Sequence, residues 1–147
     1  MKIKVLILGI ILTLLSHAKG VEDKHQKWLR VSKNNCLNSG GKLVKNNICE
    51  ASWEKAIKIC SRSGGKLPSL QKLKQAVTSC GGEIEYFGNS YCKAYQSSYK
   101  KKGFNDAIYW SATQNEKLSQ FAWVIYFYNG TTSYYSKERN YHVACVK

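Results

Sequence analysis

Lys93, Tyr95, Tyr99, Lys100, Lys101 and Lys102 gather ammonium groups and phenol rings in one short run. Ammonium groups attract sulfate, carboxylate and phosphate. A phenol ring adds a flat apolar body with a polar tip, suited to a sugar ring. Tyr134, Tyr135, Lys137 and Arg139 repeat the combination beyond an expected hairpin. These residues are the candidate ligand contacts. Catalytic patterns are weaker. His25 and His142 stand in no Ser/His/Asp or metal-ligand spacing. Glu83 and Glu85 alternate on an extended segment and share a side of it, but a retaining glycosidase needs its carboxyl groups about 5 Å apart in a cleft. They read as solvated loop acids. The calcium-dependent sugar sites of lectins use Glu-Pro-Asn or Gln-Pro-Asp, and the sole proline, Pro68, stands elsewhere. The expectation is no enzyme, no metal and no cofactor.

The formal net charge of +14 widens the set of partners. A chain this basic attracts polyanions: sulfated or acidic glycans, anionic lipid headgroups, cell-envelope polymers or nucleic acid, the last without sequence specificity. Abundant Lys, Asn, Ile and Tyr also fit a compositional bias. Residues 1–20 read as a secretory signal peptide: Lys2 and Lys4, an apolar run from Val5 to Leu15, then Ser16-His17-Ala18. The run falls short of the roughly 20 apolar residues of a membrane span. Cleavage after Ala18 or Gly20 is expected, leaving 21–147 as a single secreted or periplasmic domain. Cys36, Cys49, Cys60, Cys80, Cys92 and Cys145 all follow the leader. Their even number predicts three disulfides in an oxidising compartment, with fifteen pairings possible.

The elements that must position these residues follow from pattern. Residues 21–35 read as a loose arm or an edge strand, and 36–49 as turns and short strands. Trp53, Ala56, Ile57 and Cys60 form one helical stripe over 51–63, with Ser52 as N-cap and Gly64-Gly65 as the stop. Ser69 caps a second helix, 70–79, whose inner stripe is Leu70, Leu73 and Val77, with Ala76 beside it. Residues 83–107 read as a long loop. Strands are expected at 108–113, 121–128, 131–136 and 141–147. Asn129-Gly130 predicts a type I′ turn, and Asn129-Gly130-Thr131 is also an N-glycosylation sequon. Trp53, Trp110 and Trp123 are assigned to the core.

Several of these pieces recur in order: Trp53/Ala56, Cys60, Gly65-Lys66-Leu67-Pro68-Ser69, Tyr109-Trp110-Ser111-Ala112, Ala122-Trp123 to Phe127 and Gly130, and Ala144-Cys145-Val146-Lys147. Over roughly residues 43–147 this resembles the Lcl C-terminal domain family, also called DUF1566. The chain departs from it at Lys72, where the family has Glu, and at Ala144 and Lys147, where it has Arg. The resemblance implies an α+β, C-type lectin-like domain: two helices beside a small twisted antiparallel sheet. It also implies a helix-to-last-strand disulfide, Cys60–Cys145, which leaves Cys36–Cys49 and Cys80–Cys92 as the other pairs. Function is then expected to be that of an exported, adhesin-like binding module for anionic or sulfated glycans or another surface polyanion. The alternatives are a cationic toxin-like or antimicrobial protein acting on anionic envelopes, and a cell-wall hydrolase. Peripheral contact with anionic membranes and oligomerisation are compatible with the reading.

Overall fold

A computed structural model describes residues 27–81, 84, 100–101 and 103–147. The expected leader, His25, Glu83, Glu85, Cys92, Lys93, Tyr95, Tyr99 and Lys102 lie outside the described residues. The fold is α+β. Strand β1 (Trp28–Leu29) and helix α1 (Lys33–Leu37) are followed by β2 (Lys42–Val44), a short 3₁₀ turn and β3 (Ile48–Ala51). Helices α2 (Trp53–Arg62) and α3 (Leu70–Ser79) come next. Strands β4 (Ile108–Gln114), β5 (Phe121–Tyr126), β6 (Thr132–Ser136), β7 (Tyr141–His142) and β8 (Cys145–Val146) complete the chain.

The two expected helices form where the apolar stripes placed them. The Ser69 side chain accepts a hydrogen bond from the Lys72 backbone N–H, so it caps α3 as expected. Ser52 holds the N-cap position of α2 without a side-chain bond. Gly64, at φ +80°, supplies the left-handed residue after α2. Within α2, Ile59 is buried with Trp53, Ala56 and Cys60, whereas Ile57 is 38% exposed. The stripe is rotated toward Gly41, where an added Cβ would lie 3.0 Å from Ile59 Cδ1.

Two expectations about the architecture need correction. First, α1 is an additional helix, capped by the Ser32 side chain accepting from Asn35 N–H. Second, the main sheet is mixed: its order is β2-β3-β7-β4-β5-β6, and β4 and β7 run parallel at Tyr109 and His142. The expected strand 141–147 breaks in two. Tyr141–His142 joins that sheet, while Cys145–Val146 pairs with β1. Of the three expected disulfides, the described residues contain two, Cys36–Cys49 and Cys60–Cys145. Cys80 is buried at the end of α3, and its expected partner Cys92 lies outside the described residues.

The sheet buries apolar side chains on both faces. In the β4–β5 ladder, Ile108 opposes Tyr126 and Trp110 opposes Val124, all packed with Trp53, Ala56 and Ile59 of the α2 side. Tyr109 opposes Ile125 on the other face, packed with Leu73, Ala76 and Val77 of α3. Phe127 closes this second cluster. Its ring stacks on Phe104 at 4.6 Å and meets Tyr109 edge-on at 4.8 Å. Burying a phenylalanine this completely stabilises by about 2–3 kcal/mol.

Phe127 also explains the β5–β6 turn. The strand ends at Tyr126 instead of Tyr128, and Tyr126 N–H donates to Thr131 O at 2.9 Å across a four-residue loop. Gly130 has φ +70°, but Asn129 is not at positive φ, so the turn is not type I′. The positive-φ pair sits at Asn46 and Asn47, between β2 and β3. Trp123 is a further correction: it is half-buried, on the same face of β5 as Ile125, with Tyr134 edge-on at 5.3 Å.

Candidate functional site

Strand alternation decides which tyrosines meet. Register pairs Ala122 with Tyr135 and Trp123 with Tyr134. Tyr135 therefore shares a face with Ala122, Val124 and Tyr126, while Tyr134 turns to the opposite face with Trp123 and Phe121. Tyr135 then meets Tyr141 of β7 at 5.4 Å between ring centroids. Tyr126 meets the exposed Tyr128 edge-on at 5.3 Å, and Tyr141 meets the core Trp110 at 5.0 Å. The hydroxyls of Tyr126 and Tyr135 are hydrogen-bonded to each other.

Two cations roof this tyrosine face. The Arg139 guanidinium lies over the Tyr135 ring, 5.1 Å from its centroid. Lys137 Nζ lies 4.3 Å from the centroid of a Trp53 ring and donates to Gln114 Oε1 at 2.6 Å. Neither cation forms an ion pair with a described carboxylate. Their charge remains available to an incoming anion, and each stays close to an aromatic ring.

Electrostatics keep the phenols neutral. Burial pushes the Tyr126 hydroxyl well above the ordinary tyrosine range, and the bond to Tyr135 adds to the shift. Burial likewise raises Tyr128 and Tyr141, with Arg139 beside Tyr141 pulling the other way. All three remain O–H donors and acceptors at neutral pH. The surface can therefore offer hydroxyls to a polyol, ring faces to its C–H groups and two cations to its anionic substituents.

Of the sequence-derived candidates, the structure brings Tyr135, Lys137 and Arg139 together and separates Tyr134 from them. Lys101 is exposed. Lys100 lines a different feature, a cleft of about 430 Å³ beside β1 that shares no lining residue with the tyrosine face. Lys93, Tyr95, Tyr99 and Lys102 lie outside the described residues. Sequence reasoning missed Tyr126, Tyr128 and Tyr141. Alternation from buried Ala122 and Val124 could have placed Tyr126; Tyr141 depends on the β7 pairing, which has no local signal.

His142 sits in a row across the sheet, Lys42–Glu50–His142–Tyr109, set by cross-strand register. Glu50 approaches Lys42 at 3.2 Å and His142 Nδ1 at 3.1 Å. Burial nonetheless outweighs the carboxylate and lowers the His142 pKa. Among the described residues no group of three or more His, Cys, Asp or Glu side chains is arranged to hold a metal ion. No described helix is long and apolar enough to cross a membrane.

Compared with protein-family models and with curated proteins, the chain matches none.

Proposed function

We propose that the protein is an exported, non-enzymatic binding module that recognises anionic or sulfated glycans on a surface, in the manner of an adhesin. The observation that carries this reading is Arg139 held over Tyr135, with Tyr126 and Tyr141 alongside and Lys137 over Trp53. A cation beside a half-buried phenol places an anion partner next to a stacking surface, the pairing that an acidic or sulfated sugar requires. Fixed rings lose little conformational freedom on binding. The net charge of +14 favours the encounter with any polyanion.

Two further observations support the wider reading. The disulfides are compatible with an oxidising, extracellular location. The Cys60–Cys145 link from α2 to β8 is the one implied by the resemblance to the Lcl C-terminal domain family, and it supports a C-type lectin-like fold.

The test is binding of the oxidised protein to paired neutral and sulfated glycans at low salt and near 0.15 M, where the Debye length is about 8 Å. Selective binding that persists at the higher salt is expected. Lys137→Ala with Arg139→Ala should weaken it roughly tenfold, the loss of about 1.4 kcal/mol. Affinity that ranks ligands only by charge density, or that ignores both substitutions, would overturn the reading.

A further inference from the structure

The cleft beside β1 has a chemistry of its own. Half-buried Trp28 gives it an aromatic face, backed by the buried Phe104, edge-on to Trp28 at 4.7 Å, and the buried Tyr109, edge-on to Phe104 at 5.5 Å. Arg30 and Lys100 bring two cations, and Asn46, Asn47 and Asn105 bring three side-chain amides. Among the described residues, none that lines it is acidic.

Apart from the Asn105 side chain, which is hydrogen-bonded to the Tyr109 hydroxyl, four polar side chains at this cleft are uncommitted. Arg30, Lys100, Asn46 and Asn47 make no side-chain hydrogen bond or ion pair with the described residues. Asn46 and Asn47 are also the two non-glycine residues held at positive φ, 63° and 59°. Such backbone costs free energy, and Asn tolerates it better than most residues. The turn between β2 and β3 thus carries two amides to the cleft on a tight hairpin that Cys36–Cys49 ties to α1.

These groups discriminate among ligands. A volume of about 430 Å³ admits a single six-membered ring with substituents. An aromatic acid would use the Trp28 face and the cations but leave the amides without partners, which is costly once water is displaced. A neutral sugar would satisfy the amides and leave the cations idle. A pyranose bearing a carboxylate uses all three sets. We infer that the Trp28–Arg30–Asn46 cleft binds one uronic-acid residue of a glycan, separately from the open tyrosine face. The inference rests on the anionic-glycan reading and names the sugar class that a second site would select.

The experiment titrates the full oxidised protein with D-glucuronate, and with glucose and acetate as controls, at constant ionic strength. The readout is the backbone and indole N–H resonances. Glucuronate should shift the Trp28 indole and the Asn46 and Asn47 amides saturably at millimolar concentration, while neither control does. Arg30 is exposed and has no partner among the described residues. Arg30→Ala should therefore leave the spectrum folded and weaken glucuronate at least fivefold. A shift reproduced by acetate would reduce the cleft to a plain ion site and overturn the inference. Glucuronate shifts confined to Tyr135, Lys137 and Arg139 would also overturn it while leaving the glycan reading intact. Failure of both glucuronate and a polyuronate chain to bind, with sulfated glycans still bound, would remove the uronate assignment alone. Failure of every anionic glycan would remove both.

Discussion

Trp53 and Trp110 exchange hydrogen bonds reciprocally between the start of α2 and strand β4. Trp53 Nε1–H donates to Ser111 O at 2.8 Å, and Trp110 Nε1–H donates to Ala51 O at 2.9 Å. Each indole thus satisfies a carbonyl one residue or two from the other indole in sequence, and both bonds are buried. The arrangement fixes the angle at which α2 leaves β3. Trp53→Phe and Trp110→Phe each keep most of the ring but strand a buried carbonyl. Each should cost about 1–3 kcal/mol. The double variant should cost less than the sum, because one junction carries both bonds. Urea unfolding of the four proteins measures the coupling, and strict additivity would refute it.

The two described disulfides close loops of different length. Cys60–Cys145 spans 85 residues and Cys36–Cys49 spans 13. Paired alanine replacement should lower stability by about 4.5 kcal/mol for the first and about 3 kcal/mol for the second in the loop-entropy account. Thermal and urea unfolding of the two variants provide the comparison. A larger loss from the short loop would mean that native contacts, not chain entropy, dominate.

Gly65 lies against the last strand. An added Cβ would stand 2.3 Å from Val146 O and 2.5 Å from Leu29 Cδ1. Gly64, its neighbour, faces open space but has φ +80°. Gly64→Ala should cost about 1 kcal/mol in backbone strain. Gly65→Ala should cost more, on the order of 3 kcal/mol, because the paired Lys66 and Val146 backbones must separate. Slower-protected Lys66 and Val146 amides would be the wrong outcome; faster hydrogen exchange there is expected in Gly65→Ala only.

His142 makes stability fall in mild acid. Its folded pKa lies below the ordinary 6.5, because burial disfavours the imidazolium more than Glu50 favours it. The unfolded chain then takes up the proton first, so stability is full above about pH 6.5 and declines as pH drops through the folded value. His142→Gln should flatten that part of the profile. An unchanged slope between pH 7 and pH 5 would place the titrating group elsewhere.

The alkaline limb follows from Tyr109, which burial pushes up to about 12 despite its bond from Asn105 N–H. Unfolded tyrosines ionise near 10. Folding that keeps Tyr109 protonated is favoured below that pH and loses this contribution as pH rises toward about 12. Absorbance titration should show a late tyrosine class that Tyr109→Phe makes smaller by one group, Tyr126, Tyr128 and Tyr141 remaining in it. Coincident titration of every tyrosine near 10 would contradict it.

Helices α2 and α3 were legible because their boundaries are local. Ser69 must accept from Lys72, and glycine must follow Ser63. The rotation of α2 that buries Ile59 and exposes Ile57 was not legible, because the α1–β3 unit closed by Cys36–Cys49, which claims this flank, approaches from outside the helix. Parallel pairing of β7 with β4 leaves no period in two residues. The candidate site was half legible for the same reason. Tyr135, Lys137 and Arg139 stood out as a sequence cluster, yet Tyr134 belongs to the other face by register, and Tyr141 arrives from a strand too short to announce itself.

The pairing of β1 with β8 governs how the domain would carry load. Lys147 N–H donates to Lys27 O at 3.0 Å, so the described segment begins and ends side by side. Tension applied at these two points would open the small ladder one bond at a time, as a zipper opens. On one side the rupture stops at Cys145, anchored to Cys60, and on the other at Cys36, anchored to Cys49. The tyrosine face lies beyond both stops. A ligand of the proposed kind, held there, would feel the arm lengthen without losing the surface that holds it.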